Sequence, residues 1–271
     1  MSSRSGIVKG LEGQTQLYWE SVGSGAPVLL VHGLGLSGGA WWRTVDALAG
    51  SVRVITFDHR GIGRSKSLTY AYTTEGMADD AVSILDDLSI ERVHIYGFSL
   101  GGMVAQQIAL RYPGRVRALV LGATHSGGRR AATPEPDVAS FFRRRARMPS
   151  EEAAWASVPY NYGPRSRIEQ VDRIAEDIER RLRNPFNEHA YRAQLLAASM
   201  HNCYRRLGRI RVPTLVVHGA RDRMIPVSNA HMTARGIPGA QLKILEDAGH
   251  LYPTEEPVVD EDIGEFFAAH G

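Results

Sequence analysis

The stretch HIYGFSLGGMVAQ sets Ser99 between Gly97 and Gly101, where an apolar, β-branched run gives way to a helix-like pattern. A serine hydroxyl is a poor nucleophile at neutral pH. It needs a base within hydrogen-bond reach and donors for the oxyanion it creates. Glycines two residues to either side let a strand and a helix close on each other. The turn is therefore either a packing device or a mount that exposes the Ser99 oxygen, and G-x-S-x-G between strand and helix favours the mount. A helix starting here aims the Leu100 N–H at developing negative charge. An acid and a histidine follow, each after a later apolar run: VVHGARD ends at Asp222 and KILEDAGH at His250. An imidazole with an ordinary pKa of about 6.5 can take the serine proton and hand it to a leaving group. A carboxylate behind it fixes the tautomer and supports the imidazolium.

A second motif competes for the chemistry. HGLGLSGGAWW contains Gly33-x-Gly35-x-x-Gly38 after the apolar run APVLLV, and Asp58 ends the next run. That is a literal dinucleotide fingerprint with its acid roughly 20 residues on, and it would make the chain an NAD-dependent oxidoreductase. Against it, His32 precedes the first glycine, Trp41 and Trp42 crowd the first turn of the helix, and a strand pair comes earlier in the chain. Asp58, His59 and Arg60 read instead as a charged turn tying loops together.

These residues meet only if the chain forms one sheet. GQTQLYWES alternates like a half-exposed antiparallel strand. APVLLV, VRVITF, RVHIYGF and RVRALVLG are continuous apolar runs suited to strands buried on both faces of a parallel sheet. Helix patterns lie between them, in AWWRTVDALAG, TTEGMADDAVSILDDLSI and LGGMVAQQIALRYPG. From His125 to Gly208 the alternation breaks into helical stretches such as SRIEQVDRIAEDIERRLR and EHAYRAQLLAASM. It resumes with VPTLVVHG, SNAHMTARG, AQLKILEDAG and a last helix, TEEPVVDEDIGEFFAAH. An insertion at that point lies at the carboxyl edge of the sheet, where ligands bind, so it is a lid candidate.

The composition sets outer bounds. The 271 residues are 43% apolar and 23% charged, which suits one globular α/β domain with an insertion. A formal charge of +3 gives no reason to expect nucleic acid as partner. The run FFRRRARMPS reads as a solvated helix face, with the stems of Arg143, Arg144, Arg145 and Arg147 covering Phe141 and Phe142. Cys203 is the single cysteine, so no intrachain disulfide forms. The N-terminus lacks a secretory apolar core and no segment has the roughly 20 apolar residues a membrane span requires, so a cytoplasmic protein is expected. Metal-ligating spacings such as HExxH are missing, and no cofactor is expected.

Taken together, HGLGLSGGAW, FDHRGIGRS, GFSLGGMVAQQIAL, HGARDRMIP and DAGHLYPTEEP resemble the α/β-hydrolase superfamily over the chain outside the insertion. The chain is similar to the esterases, enol-lactonases and cofactor-independent haloperoxidase-like enzymes of that group. The resemblance implies a mostly parallel eight-stranded sheet with helices on both faces and a helical cap. The core would be 1–124 and 209–271, the cap 125–208. It implies Ser99 as nucleophile, Asp222 as acid, His250 as base, and the backbone N–H groups of Leu34 and Leu100 as oxyanion donors. Trp41, Trp42, Phe98 and His125 would line the site. Trp155, Tyr160, Tyr162, Met200 and His201 are candidates to complete an apolar pocket from the cap, with core packing the equal alternative for each. His32 would brace the oxyanion loop, His218 would be structural, and Asp247 would organise the DAG turn rather than partner His250. The implied activity is a serine hydrolase cleaving a small carboxylic ester or lactone through an acyl-enzyme. A C–C bond hydrolase or perhydrolase on the same triad, or a ligand receptor on this fold, are the alternatives. Oligomeric state and substrate stay open.

Overall fold

The computed structural model describes residues 3–10, 13–145, 147–183 and 187–271. Among these residues nine strands run in chain order: β1 (Ser3–Lys9), β2 (Thr15–Val22), β3 (Pro27–Val31), β4 (Arg53–Phe57), β5 (Lys66–Ser67), β6 (Val93–Phe98), β7 (Val116–Gly122), β8 (Thr214–Gly219) and β9 (Gln241–Leu245). Eight of them form the path β1-β2-β4-β3-β6-β7-β8-β9, and the two-residue β5 pairs with β2 as a ninth. Pairing is antiparallel from β1 to β4 and parallel from β4 to β9.

Burial follows the sequence pattern. Strands β6 and β8 are buried at every residue, whereas β2 alternates and β9 is an edge with no buried residue. Leu29 and Val31 face one apolar layer while Val28 and Leu30 face the other, the period of two that a strand imposes. Helices α2 (Thr74–Asp87) and α3 (Leu100–Arg111) cover the first face; α1 (Trp42–Leu48) and α12 (Val258–Ala268) cover the second. Among the described residues, six α-helices intervene between β7 and β8: α4 (Pro136–Arg145), α5 (Ser150–Ala156), α6 (Val158–Asn161), α7 (Ser166–Glu169), α8 (Val171–Leu182) and α9 (Glu188–Met200). Helix α10 (Ser228–Gly236) follows β8, and the short α11 (Tyr252–Glu255) precedes α12. No helix among the described residues is long and apolar enough to cross a membrane.

Two details that the sequence pattern shows only weakly have physical causes. Strand β1, SRSGIVK, is mostly exposed and too polar to show a buried-strand pattern; it exists because its backbone pairs with β2 over seven residues. In the arginine run, Phe141 is buried and stacks on Tyr160 at 4.6 Å, while Arg145 lies over the ring of Tyr191. The side chain of Phe142 lies outside the described ones, so its covering by arginine stems is not described.

Polar groups inside the body are tied down. Arg60 and Asp80 form a fully buried ion pair at 2.6 Å, which Thr15 supports from the other carboxylate oxygen at 3.0 Å. Asp260, on α12, accepts from Thr44 Oγ1 at 2.9 Å, but its other oxygen is buried without a partner. Burial pushes its carboxyl up from the usual 3.8 to about 7, partly offset by Thr44. A raised folded pKa means the native state holds the proton more tightly. The stability this contributes is complete below about pH 4 and is lost as pH climbs through about 7. Replacing Asp260 by Asn removes that loss. The melting temperature of the variant minus that of the wild type should rise between pH 4 and 8. An effect on the order of a few kcal/mol corresponds to roughly 2–4 °C per kcal/mol in a chain of this size. Thermal melts at matched ionic strength check it, and a difference that stays flat with pH refutes it.

Candidate active site

The nucleophile candidate sits on a strained elbow. Ser99 has φ 55° and ψ −119°, a backbone conformation that L-residues avoid and that persists only where the surroundings enforce it. The enforcement is close packing between β6, α3 and β3. A side chain at Gly97 would press on Ala105, and one at Gly101 would run into the carbonyl oxygen of Val31. Thr124 Oγ1 and the Gly102 N–H both donate to the Ser99 carbonyl oxygen, which fixes the turn.

Three side chains from three strand ends meet there. His250 Nε2 lies 3.1 Å from Ser99 Oγ, and His250 Nδ1 lies 2.7 Å from Asp222 Oδ2. The other oxygen of Asp222 accepts from the Met224 and Ile225 N–H groups, each at 2.8 Å. Burial alone would raise the Asp222 carboxyl. The adjoining His250 and the hydrogen bond from His218 outweigh that and hold it at about 2. It is therefore ionised over any working pH, and the proton shared with His250 resides on Nδ1. The Nε2 lone pair is left facing the Ser99 hydroxyl.

His218 is a residue whose place the sequence reading missed. Its Nε2 lies 3.1 Å from Asp222 Oδ2 and 2.8 Å from the Ile225 carbonyl oxygen, which only accepts, so Nε2–H is the donor. Asp222 thus receives two imidazoles and two amides. Asp247 is more than half exposed, 3.8 Å from Arg165, and is not a partner of His250; no side-chain bond to the DAG turn is found for it. That turn is organised by Glu255, which accepts from Gly249 N–H and Gly163 N–H at 2.7 Å each. The signal was present in DAGHLYPTEEP but did not say which of two glutamates turns inward.

The loop after β3 is held from below and from above. Gly33 N–H donates to His32 Nδ1 at 2.6 Å, and His59 Nε2 donates to the His32 carbonyl at 3.0 Å. Burial, and then the neighbouring His59, lowers His32 to about 3, so it is a neutral brace. Gly35 N–H donates to Gln194 of α9 at 2.8 Å, a contact nothing in the loop sequence foretold. Neither the Leu34 nor the Leu100 N–H has a protein acceptor among the described residues. Both residues line the cavity over Ser99. Asp58 accepts from Gly38 N–H at 2.8 Å and from the backbone N–H of Arg64 at 2.9 Å. The acid of the would-be dinucleotide fingerprint is therefore spent on its own loops.

The cavity above Ser99 has a volume of about 530 Å³. Phe98, His125 and His201 line it. Burial lowers His125 to about 4 and His201 to about 3, so both are neutral. The remaining pocket candidates stand elsewhere. Trp41, Trp42 and Tyr162 line a smaller cavity of about 70 Å³ beside it. Trp41 packs on His32 and Tyr96, and Trp42 stacks with Arg43 and Arg180. Tyr160 packs on Phe141 under the wall. Trp155 is 45% exposed and Met200 69% exposed, and neither lines the cavity. Each sits on a helix whose buried stripe is supplied by other residues, so aromatic or thioether character was the wrong signal. Among the described residues, no group of three or more His, Cys, Asp or Glu could hold a metal ion.

The chain matches the model of the alpha/beta hydrolase fold over residues 26–257, and it belongs to that family. It is 33% identical, over 90% of its length and 92% of the relative's, to a Variovorax paradoxus protein provisionally named carbamate hydrolase RutD. It is 33% identical to a poly(3-hydroxyalkanoate) depolymerase of Ectopseudomonas oleovorans, over 83% of this chain and 78% of that one. Among solved structures, a thermophilic esterase from Thermogutta terrifontis superposes with a TM-score of 0.83 at 29% identity, covering 99% of this chain and 100% of that one.

Proposed function

We propose that this protein is a serine hydrolase that cleaves a small carboxylic ester or lactone. The observation that carries the reading is the unbroken relay Ser99 Oγ, His250 Nε2, His250 Nδ1, Asp222 Oδ2, at 3.1 and 2.7 Å. Ser99 Oγ attacks the substrate carbonyl as its proton passes to His250 Nε2. The carbonyl oxygen becomes an oxyanion received by the Leu34 and Leu100 N–H groups, the latter at the start of α3. His250 then returns the proton to the leaving oxygen as the carbonyl–oxygen bond breaks, leaving an acyl-Ser99. Water repeats the sequence, giving up its proton to His250 and expelling Ser99 with the acid. In a lactone the leaving oxygen stays attached, and a hydroxy acid is released whole.

Residues 125–208 act in this reading as a cap. The cavity takes part of its wall from that segment, through Ala139, Asn161 and Leu195, and part from the sheet side, through Phe98, Met103 and Ile225. The named substrates of the two relatives, a carbamate and a polyester, are both carbonyl compounds, which supports acyl transfer. A fluorophosphonate probe should label the protein once per chain, and mass mapping should place the adduct on Ser99. An adduct on another residue, or none at a concentration that labels a reference serine hydrolase, overturns the reading.

A further inference from the structure

The cavity over Ser99 has a one-signed wall. Among the described residues lining it are Arg143, Arg145 and Arg181, with no aspartate or glutamate. His125 and His201, which also line it, are held neutral by burial and add no charge to that of the arginines. Much of the rest is apolar, including Leu34, Met103 and Leu195. Arg181, on α8, is the exceptional one. It lines the main cavity and both smaller ones, and its guanidinium makes no hydrogen bond or ion pair to a described residue. One of its terminal nitrogens, Nη2, is buried with no partner among the described residues.

Arg181 is half-buried and lines the cavity, and a buried donor left without a partner, as Nη2 is, is costly and calls for an explanation. The acid one helical turn back does not serve. Asp177 receives Arg43 at 3.1 Å on one oxygen and Thr254 on the other. Burial, and then the neighbouring Arg145, lowers Arg181 to about 10, so the site favours an incoming negative charge. The planar fork of arginine matches the two oxygens of a carboxylate.

Resting on the serine-hydrolase reading, we infer that the substrate carries a free carboxylate as well as the scissile carbonyl, and that Arg181 is the residue that binds it. The class is a monoanionic hemiester or an acid-bearing lactone with an apolar body between its two polar ends.

The test pairs charged and neutral isosteres. The 4-nitrophenyl hemiesters of succinate, glutarate and adipate are compared with their methyl-capped diesters. Wild type should prefer the best hemiester by about ten- to hundred-fold in kcat/KM, the worth of one charge-assisted pair. Arg181→Met should bring that ratio towards one, and Arg181→Lys should retain part of it. Separately, monomethyl adipate should bind wild type by calorimetry more tightly than dimethyl adipate, and Arg181→Met should lose the difference. The variant's melting temperature without ligand should not fall, since an unpaired cation has been removed; a purely structural arginine would give a fall. If the neutral diester is hydrolysed through Ser99 but neither the kinetic nor the binding preference exists, the carboxylate site is overturned and the hydrolase reading stands. If no ester is turned over, binding decides alone: an Arg181-dependent preference for the monoanion supports the site, and its absence overturns it.

Discussion

Ser99→Ala should lower kcat on a short 4-nitrophenyl ester by about 10⁶-fold, with a residue of activity over water from the oxyanion donors and the cavity. The change deletes one oxygen and little else. The bonds that hold the elbow go to the Ser99 carbonyl, from Thr124 and Gly102, and the Ser99 N–H donates to the Gly122 carbonyl; none involves the hydroxyl. Alanine meets the same backbone strain at φ 55° as serine does. The lost side-chain bond to His250 is worth about 1 kcal/mol, so the melting temperature should move by only a few degrees. Kinetics together with a thermal melt separate the two effects. Turnover within tenfold of wild type in a folded variant would remove Ser99 from the chemistry.

What the sequence revealed, and what it hid, divides by how local the cause is. Ser99, Asp222 and His250 each end a run that reads as a strand on its own, so the parallel order of β6, β8 and β9 carries them to one edge. Ser99 carries a further local mark, because the elbow needs glycines within two residues of it. Strand β1 carries no such mark, being fixed by backbone pairing rather than by side-chain burial. Gln194 and Glu255 reach the site across 159 and 92 positions of chain, to Gly35 and Gly163, and only the packing of the inserted helices aligns them. The pocket was the hardest part to read. Trp155 and Met200 were drawn by their chemistry, yet the cavity is lined by residues such as Ala139, Leu195 and Arg181. A helix shows which side is apolar, and α8 does so through Ile174 and Ile178. It does not show that a charged residue at the rim of that stripe turns inward.

The arrangement around Asp222 yields the other large effect. Asp222→Asn should lower kcat by about 10⁴-fold, the consequence of presenting the wrong imidazole tautomer. The side-chain oxygen of the substituted amide would keep the Met224 and Ile225 N–H groups, which hold the loop. Its NH₂ group would then point donors at His250 Nδ1, which donates to the carboxylate in the wild type, and at His218 Nε2–H, which lies 3.1 Å from it. His218 cannot yield without losing its bond to the Ile225 carbonyl, so His250 must. Moving the His250 proton to Nε2 relieves the clash and leaves Ser99 facing a donor where it needs a base. The carboxylate that would have steadied the imidazolium is gone as well. Asp222→Ala separates this chemistry from fold stability. Alanine strands the two buried amides at about 1–3 kcal/mol each, so it should melt below Asp222→Asn although both are nearly inactive. Fluorophosphonate labelling of Ser99 should slow in parallel with kcat/KM in both variants. An asparagine variant that labels and turns over within tenfold of wild type would mean that His250 acts without Asp222.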